Sequence, residues 1–130
     1  MKNLCPPGWP RPKGYSNAMA ARGRIVFTAG MVGWDHTHKF VSDSMPEQFA
    51  QALRNVLAVL ACDGAYPKNI ARMTCYVTDM DAYRASLKDI GAIWREIMGR
   101  HYPAMALVEV RQLVEPQAQV EIEATAVIPE

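Results

Sequence analysis

A chain of 130 residues is one domain's worth of sequence, long enough to bury about two-thirds of its unfolded surface. With 50% hydrophobic and 21% charged residues and a formal net charge of +1, it has the balance of a globular protein and lacks the basic footprint of a nucleic-acid binder. No apolar stretch is long enough to span a bilayer, the first dozen residues hold no secretory core, and Cys5, Cys62 and Cys75 show no CxxC spacing, so no membrane association, reduced thiols and a cytoplasmic location are expected.

The whole of residues 1–130 reads as one domain. Its first 13 residues carry Pro6, Pro7, Pro10 and Pro12 and are expected to run extended over the body, because proline removes backbone donors and excludes helix. Tyr15–Met19 predicts a strand, Arg22–Arg24 a turn and Ile25–Ala29 a second strand, together an opening hairpin. Gly30 and Gly33 bracket Met31-Val32, where glycine marks a bulge or a close approach. Trp34–Lys39 reads as a loop. Its His36 and His38 tempt a metal reading, but zinc takes three or four ligands and nothing in the pattern completes the pair. Neither a metal nor another cofactor is expected.

Ser44-Met-Pro-Glu has the form of a capping box with proline in the first turn. Met45, Phe49, Ala52, Leu53, Val56, Leu57 and Leu60 follow at helical spacing, and Gly64 supplies the stop. Cys62, near that stop, reads as a small core residue. Arg72–Val77 predicts a third strand with Met73, Cys75 and Val77 on one face. Thr78 with Asp81 predicts the cap of a second helix, whose buried stripe is Tyr83, Leu87, Ile90, Trp94 and Ile97 and whose stop is Gly99.

The last third alternates. In Ala118–Val127, Val120, Ile122, Ala124 and Ala126 share one face, and Glu121, Glu123 and Thr125 the other. In His101–Val110, Ala106 and Val108 share a face, with Met105, Leu107 and Glu109 opposite. Seven residues separate the runs, which predicts an antiparallel hairpin. Together these elements predict an α+β two-layer sandwich, a sheet with both helices on one face. The other face is expected to carry Met31, Met105 and Leu107 beside the carboxylates, a mixture better buried against a partner subunit than left in water.

Tyr15-Ser-Asn-Ala, Thr28-Ala-Gly, Tyr76-Val-Thr-Asp, His101-Tyr-Pro-Ala, Val108-Glu-Val and Val120-Glu-Ile-Glu-Ala-Thr-Ala-Val occur in the order found in the Rid (YjgF/YER057c/UK114) proteins, the reactive-intermediate deaminases. The resemblance covers residues 14–129. It implies a chorismate-mutase-like fold, a homotrimer with clefts between subunits, and hydrolysis of enamines and imines to carbonyl compounds and ammonia. By the same resemblance Tyr15, Ala29 and Gly30 line the cleft and Glu121 holds the attacking water. Met105 stands where the 2-aminoacrylate-type enzymes carry an arginine that grips the substrate carboxylate, a contact a thioether cannot make. Leu107 replaces a frequent cysteine. Val32-Gly-Trp-Asp, with Trp34, resembles the 2-aminomuconate deaminase branch.

Hydrolysis of an imine needs water at the electrophilic carbon and a proton at nitrogen, work suited to a carboxylate such as Glu121. Glu109 and Glu123 are expected to be structural ion-pair partners instead. Arg72, Lys88, Arg111 and His101 are the candidates to replace the missing arginine. Three readings remain open: a deaminase for a small-molecule substrate of a different branch, a non-catalytic trimer that binds a metabolite or a protein, and the ribonuclease or translation-inhibitor role attached to some relatives, which the near-neutral charge disfavours.

Overall fold

The computed structural model describes residues 1–130. Seven strands form in chain order: β1 (Lys2–Leu4), β2 (Ala18–Ala20), β3 (Arg24–Phe27), β4 (Met31–Val32), β5 (Ile70–Val77), β6 (Ala104–Glu109) and β7 (Val120–Ile128). The helices are α1 (Met45–Ala61), α2 (Met80–Ala85) and α3 (Leu87–Met98). The main sheet has the order β3-β7-β5-β6, with β4 also paired to β7. It is mixed: β5 and β6 run parallel, and every other pairing within it is antiparallel. This is the α+β architecture expected.

The core lies between the sheet and the helices. Phe49, Leu53, Val56 and Leu60 of α1 meet Met73, Cys75 and Val77 of β5 and Val120, Ile122 and Ala126 of β7. Fully burying each large side chain contributes about 1.5–3 kcal/mol. Cys75 belongs wholly to this packing, and burial pushes its thiol up to about 12. Gly33 lets α1 approach, since a Cβ there would lie 2.7 Å from the Gln48 backbone.

Two expected hairpins do not form. β6 and β7 are not neighbours, because β5 lies between them. A strand that follows a helix returning from β5 lies parallel to β5 and takes the place beside it; β7 then pairs on the other side of β5. Likewise the 15–19 run does not pair with β3. Ala18–Ala20 pairs with Lys2–Leu4 in a separate two-stranded sheet, so part of the extended N-terminal segment is itself a strand.

Local details also differ. Ser44 precedes α1 but makes no side-chain cap. The cap of α2 is Asp79, which accepts from the Ala82 amide at 3.0 Å, in place of Thr78, and the predicted second helix breaks at Ser86. Cys62 is exposed, since it lies past the last buried residue of α1.

The face assignment of β6 is reversed. In register with β5, Met105 stands beside Met73 and Leu107 beside Cys75. Both pack on the helix side against the core, as does Met31. The open face carries Arg72, Thr74 and Tyr76, with Glu121, Glu123 and Thr125 opposite them. Its apolar component is Ile25, Phe27 and Val108, which are 55%, 72% and 43% exposed.

Candidate active site

On the open face, Glu121 sits on β7 beside the irregular edge between β3 and β4. Four steps lead from Phe27 to Met31, against three from Thr125 to Ile122, so the edge holds one extra residue, a bulge around Ala29-Gly30. Thr28 pins the bulge, its amide donating to the Ala124 carbonyl and its hydroxyl accepting from the Ala124 amide. The Glu121 side chain lies over Gly30: a Cβ on Gly30 would be 2.5 Å from the carboxylate carbon. A side chain at Gly30 would have to push the Glu121 carboxylate aside. Three predicted residues, Ala29, Gly30 and Glu121, are thus brought together.

Their neighbours form a small polar cluster. The Tyr76 hydroxyl donates to Glu123 Oε1 at 2.6 Å, and this bond, above all, raises the pKa of the phenol from its ordinary value. Glu123 is therefore held by a tyrosine of its own chain. Glu109 is structural as well, accepting from the Met80 amide at the start of α2 at 2.9 Å. Tyr76 escaped the sequence reading because only the β5–β7 register puts it beside the glutamates.

Tyr15, Met105 and Leu107 meet elsewhere, in a cavity of about 530 Å³ between α3, β6 and the N-terminal segment. Ser16 fixes Tyr15 at the β6 edge: its amide donates to the Pro103 carbonyl at 3.0 Å and its hydroxyl to the Tyr102 carbonyl. Trp94 and Tyr102, with rings stacked at 6.1 Å, supply an aromatic wall. Burial raises the pKa of Tyr83, on the same lining. The charged side chains of the lining are Lys13 and Arg95, both cations. Neither was among the expected replacements for the missing arginine. Of those, Arg72 lies on the open face near Glu123, His101 is engaged with the Ile70 carbonyl at 2.7 Å, and Lys88 and Arg111 are exposed outside the cavity lining. Nothing in the spacing singles out Arg95 or Lys13 before the fold brings α3 and the N-terminal segment to one cavity.

Trp34 lies apart from both groups. Its ring stacks on His38 at 4.1 Å, and its carbonyl accepts from Asn55 of α1. Asp35 organises this loop by accepting from the Thr37 hydroxyl and from the amides of Thr37 and Lys39. Those bonds, the Thr37 hydroxyl first, lower its pKa to about 2.

Within one chain the predicted residues therefore fall into two separate groups, with Trp34 apart from both. β5 separates β7 from β6, which puts the two strands about 10 Å apart at the usual strand spacing, and Glu121 and Met105 project from opposite faces. A small substrate cannot touch both in the same copy.

Residues 10–128 match the family model described as Endoribonuclease L-PSP. The chain belongs to this family, that of the Rid (YjgF/UK114) proteins. Among its relatives, a Dermatophagoides farinae protein named 2-iminobutanoate/2-iminopropanoate deaminase is 28% identical, over 92% of this chain and 90% of the relative. A Yersinia pestis Rid-family protein of unknown function, YyfB, has a similar structure with a TM-score of 0.86 at 29% identity, covering 98% of each chain. Escherichia coli TdcF, solved with bound serine, gives a TM-score of 0.71 at 26% identity, over 98% of this chain and 99% of that one. No helix here is long and apolar enough to cross a membrane.

Proposed function

We infer that this protein is an enamine/imine deaminase whose site is completed between copies of the chain, as the homotrimer with inter-subunit clefts expected for a Rid protein. The observation that carries this reading is the split just described: a polar half with Glu121 over Gly30, and an apolar, cation-bearing half at the opposite sheet edge. The deaminase name of a relative with 90% of its length matched supports the activity. The exposed Ile25, Phe27 and Val108 on the open face give the association its driving force.

In this mechanism the cavity around Met105 and Leu107 holds the unsaturated chain, and Glu121 of a neighbouring copy orients a water toward the C=N carbon. Water adds its oxygen to carbon, Glu121 accepts the proton released, and the nitrogen is protonated in turn. Collapse of the resulting carbinolamine forms the C=O bond, breaks C–N and releases ammonia. With Met105 in place of an arginine, the preferred substrate is longer than a three-carbon imino acid, of the 2-aminomuconate type. A ribonuclease role draws no support from a net charge of +1.

Complementation tests the shared site. Glu121→Gln disables one half, and Tyr15→Glu places a repelling charge at the other. Each variant alone should release little ammonia, whereas a co-refolded equal mixture should recover activity in roughly one site in four, those built from two intact halves. Light scattering should give three times the 14.5 kDa chain mass. No recovery from two variants that both reach that mass would sink the shared-site reading.

A further inference from the structure

We propose that Arg95, with Lys13 on the same cavity lining, is the carboxylate grip of this protein and selects an extended unsaturated acid as its ligand. The proposal deepens the deaminase reading above and rests on it for the identity of the site. Arg95 projects from α3 one turn after Gly91, and a Cβ on Gly91 would lie 3.5 Å from the Arg95 Nη1. Helical side chains lean back over the preceding turn, so the guanidinium lies against the Gly91 face of the helix, in ordinary contact range, and lines the cavity. The ion pairs of the chain are Arg24–Asp63, Arg54–Glu96 and Arg84–Asp81, which leave Arg95 and Lys13 without a carboxylate partner. No Asp or Glu lines the cavity. An unpaired fork of N–H donors at the edge of an apolar chamber is built for a planar anion.

The remaining walls state what the anion is attached to. Met105, Leu107 and Leu87 are aliphatic, and Tyr102 adds an aromatic surface stacked on Trp94. Trp94 is held in place by its indole N–H, which donates to the His101 carbonyl at 3.0 Å. A flat conjugated chain fits such walls, and a cavity of about 530 Å³ is of small-molecule size. Arg95 stands on the helix wall and Met105 and Leu107 on β6, so with the reacting carbon seated against β6 in the proposed mechanism, the carboxylate that Arg95 binds is distal to that carbon. A three-carbon imino acid carries its only carboxylate next to the C=N bond and does not meet this requirement.

The probe is cis,cis-muconate, a six-carbon conjugated diacid with no C=N bond to hydrolyse, titrated calorimetrically into the assembled protein alongside its dimethyl ester. Wild type should bind the diacid and not the ester. Arg95→Gln should weaken diacid binding by about ten- to a hundredfold, as expected for loss of a charge-assisted contact, and Arg95→Lys should recover part of it. Arg95 is exposed, so the variants should fold normally, with circular dichroism as the check. Absence of wild-type binding, equal binding by Arg95→Gln, or equal binding of the ester each overturns the proposal. Since muconate is not turned over, the two readings fail separately. Arg95-dependent binding without ammonia release from any imine removes the deaminase reading alone, and imine turnover without Arg95-dependent binding removes this one alone.

Discussion

At one edge of the sheet a carboxylate rests on a glycine, with a second carboxylate and a tyrosine hydroxyl beside it. At the other edge lies a cavity of about 530 Å³ whose walls are aromatic and aliphatic and whose charges are both positive. The first region gathers carboxylates and a phenol beside a smaller cavity of about 190 Å³ that Glu123 and Arg72 line. The second has two cations and no carboxylate to activate water. On the proposed reading chemistry and grip belong to different edges, and the bulge at Ala29-Gly30 is the backbone feature that seats Glu121 at the first of them.

The largest effect should come from removing the proton acceptor. Glu121→Gln keeps the shape but cannot accept a proton, so ammonia release should fall by about 10²–10⁴-fold, the usual range for general acid–base groups, with the assembly mass unchanged. Unaltered turnover would place water activation elsewhere and dissolve the contrast between the edges.

Gly30→Ala asks whether position alone matters. The new methyl must displace the Glu121 carboxylate, and misplacing a catalytic group by about 1 Å costs on the order of a hundredfold. kcat should drop while KM, set at the other edge, stays close to wild type. A change confined to KM would show that Gly30 belongs to the gripping half.

Met105→Arg sharpens the comparison from the other side. It adds a fork for a carboxylate near the reacting carbon, and kcat/KM for 2-iminopropanoate should rise by about one to two orders of magnitude, the worth of a charge-assisted contact. The longer substrate should lose ground at the same time. Wild type already matching the variant on 2-iminopropanoate would make Met105 ordinary packing against Cys75, whose sulfur lies 3.9 Å away.

Alternation and helical periodicity made the composition of the two layers legible. The core faces of β5 and β7 and the apolar stripe of α1 follow from spacing, and the start of α1 from Ser44-Met-Pro-Glu, although Ser44 makes no side-chain cap. Neighbour relations in the sheet did not. A seven-residue gap between two alternating runs suggests a hairpin, but the parallel crossover from β5 through α2 and α3 decides where β6 goes, and that is a tertiary constraint. The same constraint decides the face of Met105, because alternation within one strand leaves open which of its two faces meets the core. Gln48 shows a second limit. It lies outside the apolar stripe assigned to α1, yet it is fully buried, donating to the Ser42 and Gln117 carbonyls and accepting from the Gln119 amide. Only the path of the loop into β7 creates that need.

The smallest expected effect concerns Asp35, in the loop that leads from the Glu121 edge into α1. Three hydrogen bonds to the ionised carboxylate, from the Thr37 hydroxyl and the Thr37 and Lys39 amides, lower its pKa from 3.8 to about 2. A depressed folded-state value means that the contribution to stability is present in full above pH 3.8 and is lost as pH falls from there through about 2. The group lies at the surface, outside the core, so the loss should be local, loosening the stack of Trp34 on His38 while the core stays folded. Nuclear magnetic resonance reads this directly. The Thr37 and Lys39 amide shifts should titrate together with a midpoint near 2, and both transitions should vanish in Asp35→Asn. A midpoint at 3.8 would mean that the loop is not held by the carboxylate in solution. A transition in the Ile122 or Cys75 amides at the same pH would mean that the loop and the polar edge unfold as one unit, tying Trp34 to the Glu121 half of the site.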